Sequence, residues 1–158
     1  MNKTGRYRRY MALTLLSAAL GGIVGCGEKK PRMPAALPAE ARCTLCGMVL
    51  ADFPGPKAEL YLKGVDAAAT FCSARDALSF ALQPENRRRL EALYVLAADD
   101  PSRWLSAADG VFVVAGRFEG AMGSEPALLK DQAAAERFIA QWGGRAVRWP
   151  DLVLQDVL

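Results

Sequence analysis

The sequence predicts an α+β fold of two small, homologous ββαβ-like units, residues 43–102 and 103–158, that share one core behind an export segment (1–25) and an extended tether (26–42). Three observations carry this reading. Each half places a helical stretch with one apolar stripe after two short β-prone runs and before another. Each helical stretch has a polar cap at its start and a breaker at its end. Neither half, at about 60 residues, buries enough surface to be more than marginally stable by itself.

In the first unit, Lys57 to Leu62 alternates as a strand does, and Lys63-Gly64-Val65-Asp66 supplies a turn. Ser73 is an N-cap for a helix whose apolar residues are Ala77, Leu78, Phe80, Ala81 and Leu82, and Pro84 stops it. Leu93 to Ala97 reads as a strand, and Asp99-Asp100-Pro101-Ser102 as a break. The second unit repeats the order. Val111 to Ala115 is a β run, a loop with Gly116, Gly120 and Gly123 follows, and Ala127-Leu128-Leu129 is a short strand. Asp131 caps a helix that runs to Trp142, with Ala134, Ala135, Phe138, Ile139 and Trp142 on one stripe. Gly143-Gly144 ends it, and Ala146 to Trp149 closes the unit.

The N-terminus is an address. Lys3, Arg6, Arg8 and Arg9 precede a charge-free apolar run from Met11 to Val24, shorter than the roughly 20 residues a membrane-spanning helix needs. Ile23-Val24-Gly25-Cys26 resembles the bacterial lipobox, which implies lipidation of Cys26 and an anchored protein facing the periplasm; the absence of an aspartate at Gly27 points to the outer membrane. Removing those four basic residues turns the formal charge of +3 into −1, so charge gives no support to a nucleic-acid partner. Arg87-Arg88-Arg89, beside Glu85 and Glu91, reads as a solvated helix or turn face. From Gly27 to Arg42, Pro31, Pro34 and Pro38 among Lys and Ala give a semi-extended tether.

The chain has no histidine, which excludes Ser-His and Cys-His nucleophile pairs, imidazole bases and His-ligated metals. A metal site must then use sulfur and carboxylate. The chemistry concentrates in Cys43-Thr44-Leu45-Cys46-Gly47-Met48, the separate Cys72, and Gly120-Ala121-Met122-Gly123. A C-x-x-C pair can close on one ion, form a structural disulfide between Cys43 and Cys46, or act as a redox dithiol. The prolines of Asp52-Phe53-Pro54-Gly55-Pro56 argue against the helix a redox dithiol needs. Met48 and Met122 each sit beside a glycine, in what read as corresponding positions of the two units. Either is a core residue or a thioether presented to a soft ion such as Cu(I).

Taken in order, Cys46-Gly47-Met48, Pro54-Gly55-Pro56-Lys57-Ala58, Phe71-Cys72-Ser73, Tyr94-Val95, Trp104 with Ala107, Phe112-Val113-Val114, Met122-Gly123 and Gly143-Gly144 resemble the NosL family of nitrous oxide reductase accessory lipoproteins. The resemblance implies a paired ββαβ fold and a Cu(I) chaperone, not an enzyme. Its copper would go to the tetranuclear copper-sulfide centre of nitrous oxide reductase, through work with an ABC-transporter assembly complex. It implies Cys46 and Met122 as the leading copper ligands, with Met48 in the same motif and Cys43 at a position where members do not always carry cysteine. With no imidazole available, Cys43, Cys72 or a carboxylate such as Asp52 or Asp109 would complete the set. The alternatives are a thiol enzyme, either a dithiol oxidoreductase or one akin to organomercurial lyase, and a structural lipoprotein stapled by Cys43 and Cys46.

Overall fold

The computed structural model describes residues 32–158; the export segment and Cys26 lie outside the described residues. The fold is α+β. Strands β1 (Ala58–Leu62), β2 (Ala69–Phe71), β3 (Leu90–Ala97) and β4 (Asp100–Ser106) form an antiparallel sheet in the order β2-β1-β3-β4. Helices α1 (Ala74–Ala81) and α2 (Pro84–Arg89) connect β2 to β3. A second antiparallel sheet has the order β8-β5-β9, built from β5 (Val111–Val114), β8 (Ala127–Leu129) and β9 (Arg145–Val147). Helix α3 (Gln132–Trp142) links β8 to β9, and a ribbon of β6 (Glu119–Gly120) and β7 (Gly123–Ser124) interrupts the path from β5 to β8. Thus β2-β1-β3 and β8-β5-β9 have one strand order, each with a helical crossover at the same step.

The caps form as the sequence predicts. Ser73 accepts the backbone N–H of Asp76, Asp131 accepts that of Ala134, and Gly143, at φ 74°, ends α3. The core explains why β5 is wholly buried. Phe112 and Val114 join Leu60, Phe71, Leu78, Val95 and Leu128 in the larger core, while Val111 and Val113 point to the opposite side and pack with Ala135 and Phe138 of α3. That alternation is the two-residue period of a strand covered on both faces. Residues Arg32–Leu158 accordingly make one compact unit.

Several expectations are corrected. The ββαβ order requires a second strand before α1, but the sequence does not place it: three residues carry no readable period, and pairing of Ala69, Thr70 and Phe71 with β1 creates β2. Pro84 does not merely stop a helix but begins α2 at a position that needs no N–H donor. The break at 99–102 is a tight turn at Ala98-Asp99, after which β4 runs from Asp100. Pro101 is accommodated because β4 is an edge strand. A unit boundary between 102 and 103 therefore falls inside β4. Strand β9 ends at Val147, and Trp149 opens a 3-10 turn.

The tether is also shorter than expected. Tyr94 donates its hydroxyl to the Arg32 carbonyl (2.7 Å), Tyr61 shares its single hydroxyl proton between Glu59 Oε2 (2.8 Å) and the Met33 carbonyl (3.1 Å), and Ala35 donates its N–H to Glu59 (3.2 Å). The Arg32 guanidinium covers the Tyr61 ring at 5.7 Å. Of the arginine run, Arg87 stacks on Trp149 and donates to the carbonyls of Pro150 and Leu152, which makes it a clasp for the C-terminal segment.

Candidate metal centre

A tight loop precedes β1. Arg42 and Val49 form an isolated bridge, Cys43 donates its N–H to the Met48 carbonyl (2.8 Å), and Gly47 donates to that of Cys43 (2.9 Å). Gly47 closes the loop at φ 76°, in the left-handed region that a side chain disfavours. Thr44 and Thr70 stitch the loop to β2. Thr44 N–H meets the Thr70 carbonyl at 2.7 Å, Thr70 N–H meets Thr44 Oγ1 at 3.1 Å, and Thr70 Oγ1 donates to the Arg42 carbonyl at 2.7 Å. The end of β2 therefore delivers Cys72 beside the C-x-x-C turn, and the first turn of α1 adds Asp76.

One ligand atom from each of Cys43, Cys46, Cys72 and Asp76 lies within 4.8 Å of the other three. The Cys43 and Cys72 thiols both point at Asp76 Oδ2, at 3.4 and 3.5 Å, and the Cys46 and Cys72 sulfurs are 3.5 Å apart. Cys43, Cys72 and Asp76 are buried and Cys46 is exposed, so the cluster has a closed floor and one open edge. All three cysteines are free thiols, with no bridge between Cys43 and Cys46. Burial pushes the Cys72 thiol far above its ordinary range, helped by the two neighbouring thiols and the Asp76 charge. Cys46 is raised too, first by desolvation, although the Met48 N–H favours its thiolate. Without a metal, Cys46 and Cys72 therefore hold their thiol protons, and a metal ion must displace them.

The other candidate ligands are placed differently. Met48 is half-buried and packs against the larger core, and its backbone rather than its thioether serves the loop. Met122 is 42% exposed in the turn between β6 and β7, its N–H 3.3 Å from Glu125 Oε1. Glu125 in turn accepts the N–H of Arg75 in α1 at 3.0 Å, and burial raises its carboxyl above the ordinary range. The two methionines do not occupy equivalent positions, since Met48 precedes β1 while Met122 follows β5, the counterpart of β1 in strand order. Asp52 ends a 3-10 turn and Asp109 follows β4; both are exposed, and neither belongs to the four-atom cluster. The carboxylate that does, Asp76, escapes sequence reasoning because Ser73-x-x-Asp76 reads as a helix start. Its position one turn after Cys72 is the available signal.

Three thiols and one carboxylate make a donor set for a thiophilic ion, with an exposed sulfur through which the ion can enter and leave. Comparison with known proteins gives a consistent answer. Residues 34–157 match the protein family described as NosL. The copper-binding lipoprotein NosL of Stutzerimonas stutzeri is 33% identical over 156 residues, which span 91% of this chain and 81% of that protein. The copper-binding lipoprotein NosL of Achromobacter cycloclastes is 30% identical over 96% of this chain and 84% of its own length. The crystal structure of the copper chaperone NosL from Shewanella denitrificans superposes with a TM-score of 0.74 at 34% identity, covering 79% of this chain and 98% of that one. These proteins are named for copper binding and chaperone function, not for a catalysed reaction.

Proposed function

The chain belongs to the NosL family, and from that membership we propose that it is a copper-binding lipoprotein chaperone that carries Cu(I) as cargo. The observation that supports this most is the convergence of Cys43, Cys46, Cys72 and Asp76 within 4.8 Å in a histidine-free chain. Soft thiolates favour Cu(I) over hard ions, and a low-coordinate Cu(I) can accept an incoming ligand before it loses an old one. Exposed Cys46 is the sulfur that an acceptor reaches first, while buried Cys72 and Cys43 hold the ion from below. Met122, on its exposed turn, is the thioether we propose to complete the set, and its neutrality eases release.

The proposed setting is the periplasmic side of the cell envelope, with a lipid on Cys26 anchoring the chain, in the outer membrane by the residue that follows it. The proposed recipient is the copper-sulfide centre of nitrous oxide reductase, with an ABC-transporter complex as co-worker. Titration of the reduced full chain with Cu(I) against a competing chelator tests the binding. Cys46→Ser is expected to remove most of the affinity and Met122→Leu to weaken it without loss of folding. Unchanged binding in both variants overturns the assignment. X-ray absorption at the copper edge reads the oxidation state.

A further inference from the structure

We propose that Glu125 is the positioning residue that fixes the Met122 turn against the thiol cluster. This rests on the reading of Met122 as a copper ligand. The turn has little to hold it by itself, because β6 and β7 are two residues each and pair only Glu119 with Ser124 and Gly120 with Gly123. A ribbon that short is not stable alone. Glu125, 3% exposed, supplies the missing support. One carboxylate oxygen accepts Met122 N–H (3.3 Å) and the other accepts Arg75 N–H (3.0 Å). Arg75 lies in the first turn of α1, between Cys72 and Asp76, so one side chain joins the thioether turn to the helix start that bears Asp76 and follows Cys72.

The fit around this carboxylate is close. A Cβ on Gly120 would lie 2.6 Å from Glu125 Cγ, so the side chain lies flat against the ribbon. From the other side, a Cβ on Gly55 would come within 2.8 Å of the Gly120 Cα. Lys57 holds that second wall by donating to the carbonyls of Phe53, Pro54 and Gly55 at 2.8, 3.2 and 2.9 Å. Both partners of Glu125 are N–H donors. A carboxylate satisfies both, whereas an isosteric amide has one accepting oxygen and must present its NH2 to the other donor.

Glu125→Gln in the full chain is therefore expected to weaken Cu(I) by about tenfold, the scale of a lost ligand-orienting partner. It should match Met122→Leu, and the double variant should be no weaker than Met122→Leu alone. In selenomethionine-labelled chain carrying Met48→Leu, copper–selenium scattering should be present and should disappear with Glu125→Gln, while copper–thiolate scattering stays. Gly120→Ala, which displaces the Glu125 side chain, is a second route to the same loss should Glu125→Gln fold poorly. Additive losses in the double variant, or retained selenium scattering with Glu125→Gln, overturn the positioning role while leaving copper binding intact. If Met122→Leu changes neither affinity nor scattering, the Met122 reading fails and the role of Glu125 fails with it.

Discussion

The sulfurs of Cys46 and Cys72 lie 3.5 Å apart although 26 residues separate them in the chain. The C-x-x-C pair is thus not a self-contained unit, because its exposed thiol meets a thiol delivered by the end of β2. Mild oxidation of the reduced full chain should join Cys46 to Cys72, with Cys43 left free. Peptide mapping by mass spectrometry identifies the pair, and a Cys43–Cys46 product would contradict the geometry.

Cys72 is buried in the cluster floor, so Cys72→Ser should lower Cu(I) affinity by roughly a hundredfold, about 2.8 kcal/mol. Asp76→Asn should cost much less, since a carboxylate is a poor partner for Cu(I) and the helix cap uses Ser73 Oγ and the Asp76 backbone, not its side chain. Chelator competition ranks the two variants. An Asp76→Asn loss equal to that of Cys72→Ser would make the carboxylate a principal ligand.

Gly47 has φ 76°, and a Cβ added there would meet nothing within 4 Å, so Gly47→Ala causes no clash and carries only the backbone penalty of the left-handed region. That penalty is roughly 1–2 kcal/mol. Thermal unfolding should show a fall in Tm, together with weaker copper binding as the loop holding Cys43 and Cys46 relaxes.

Tyr61 has its hydroxyl pushed up to about 12, first by burial and then by its bond to Glu59. A folded-state value above the unfolded one means the native protein keeps that proton longer. The associated stability is fully present below about pH 10 and is lost as pH rises toward 12. Tyr61→Phe should therefore lose stability less steeply over that interval, as denaturant titrations at several pH values will show.

Much of the fold is legible in the sequence because local chemistry decides it. Ser73, Asp131 and Gly143 mark helix ends by what their own atoms do, and the Val111–Val114 run is apolar enough to announce a strand, whose burial on both faces the fold adds. What escapes is made by partners. β2 and β4 exist through pairing with β1 and β3, and neither carries a period of its own. The site divides in the same way. Cys43, Cys46 and Cys72 are visible as residue types that need an explanation. Asp76 already has an explanation in the helix start, and only the fold shows that its carboxylate also faces two thiols.

The clasp of Arg32 and Met33 by Tyr94 and Tyr61 sets the length of a leash. With the proposed lipid on Cys26, six peptide steps along the sequence separate the anchor from Arg32, a reach of at most about 20 Å. An anchor that close would confine the protein to a thin shell over the bilayer, and its local concentration toward anything seated in the same membrane would be correspondingly high. Loosening the clasp with Tyr94→Phe and Tyr61→Phe would lengthen the leash without touching a sulfur, which turns reach into a quantity separable from affinity.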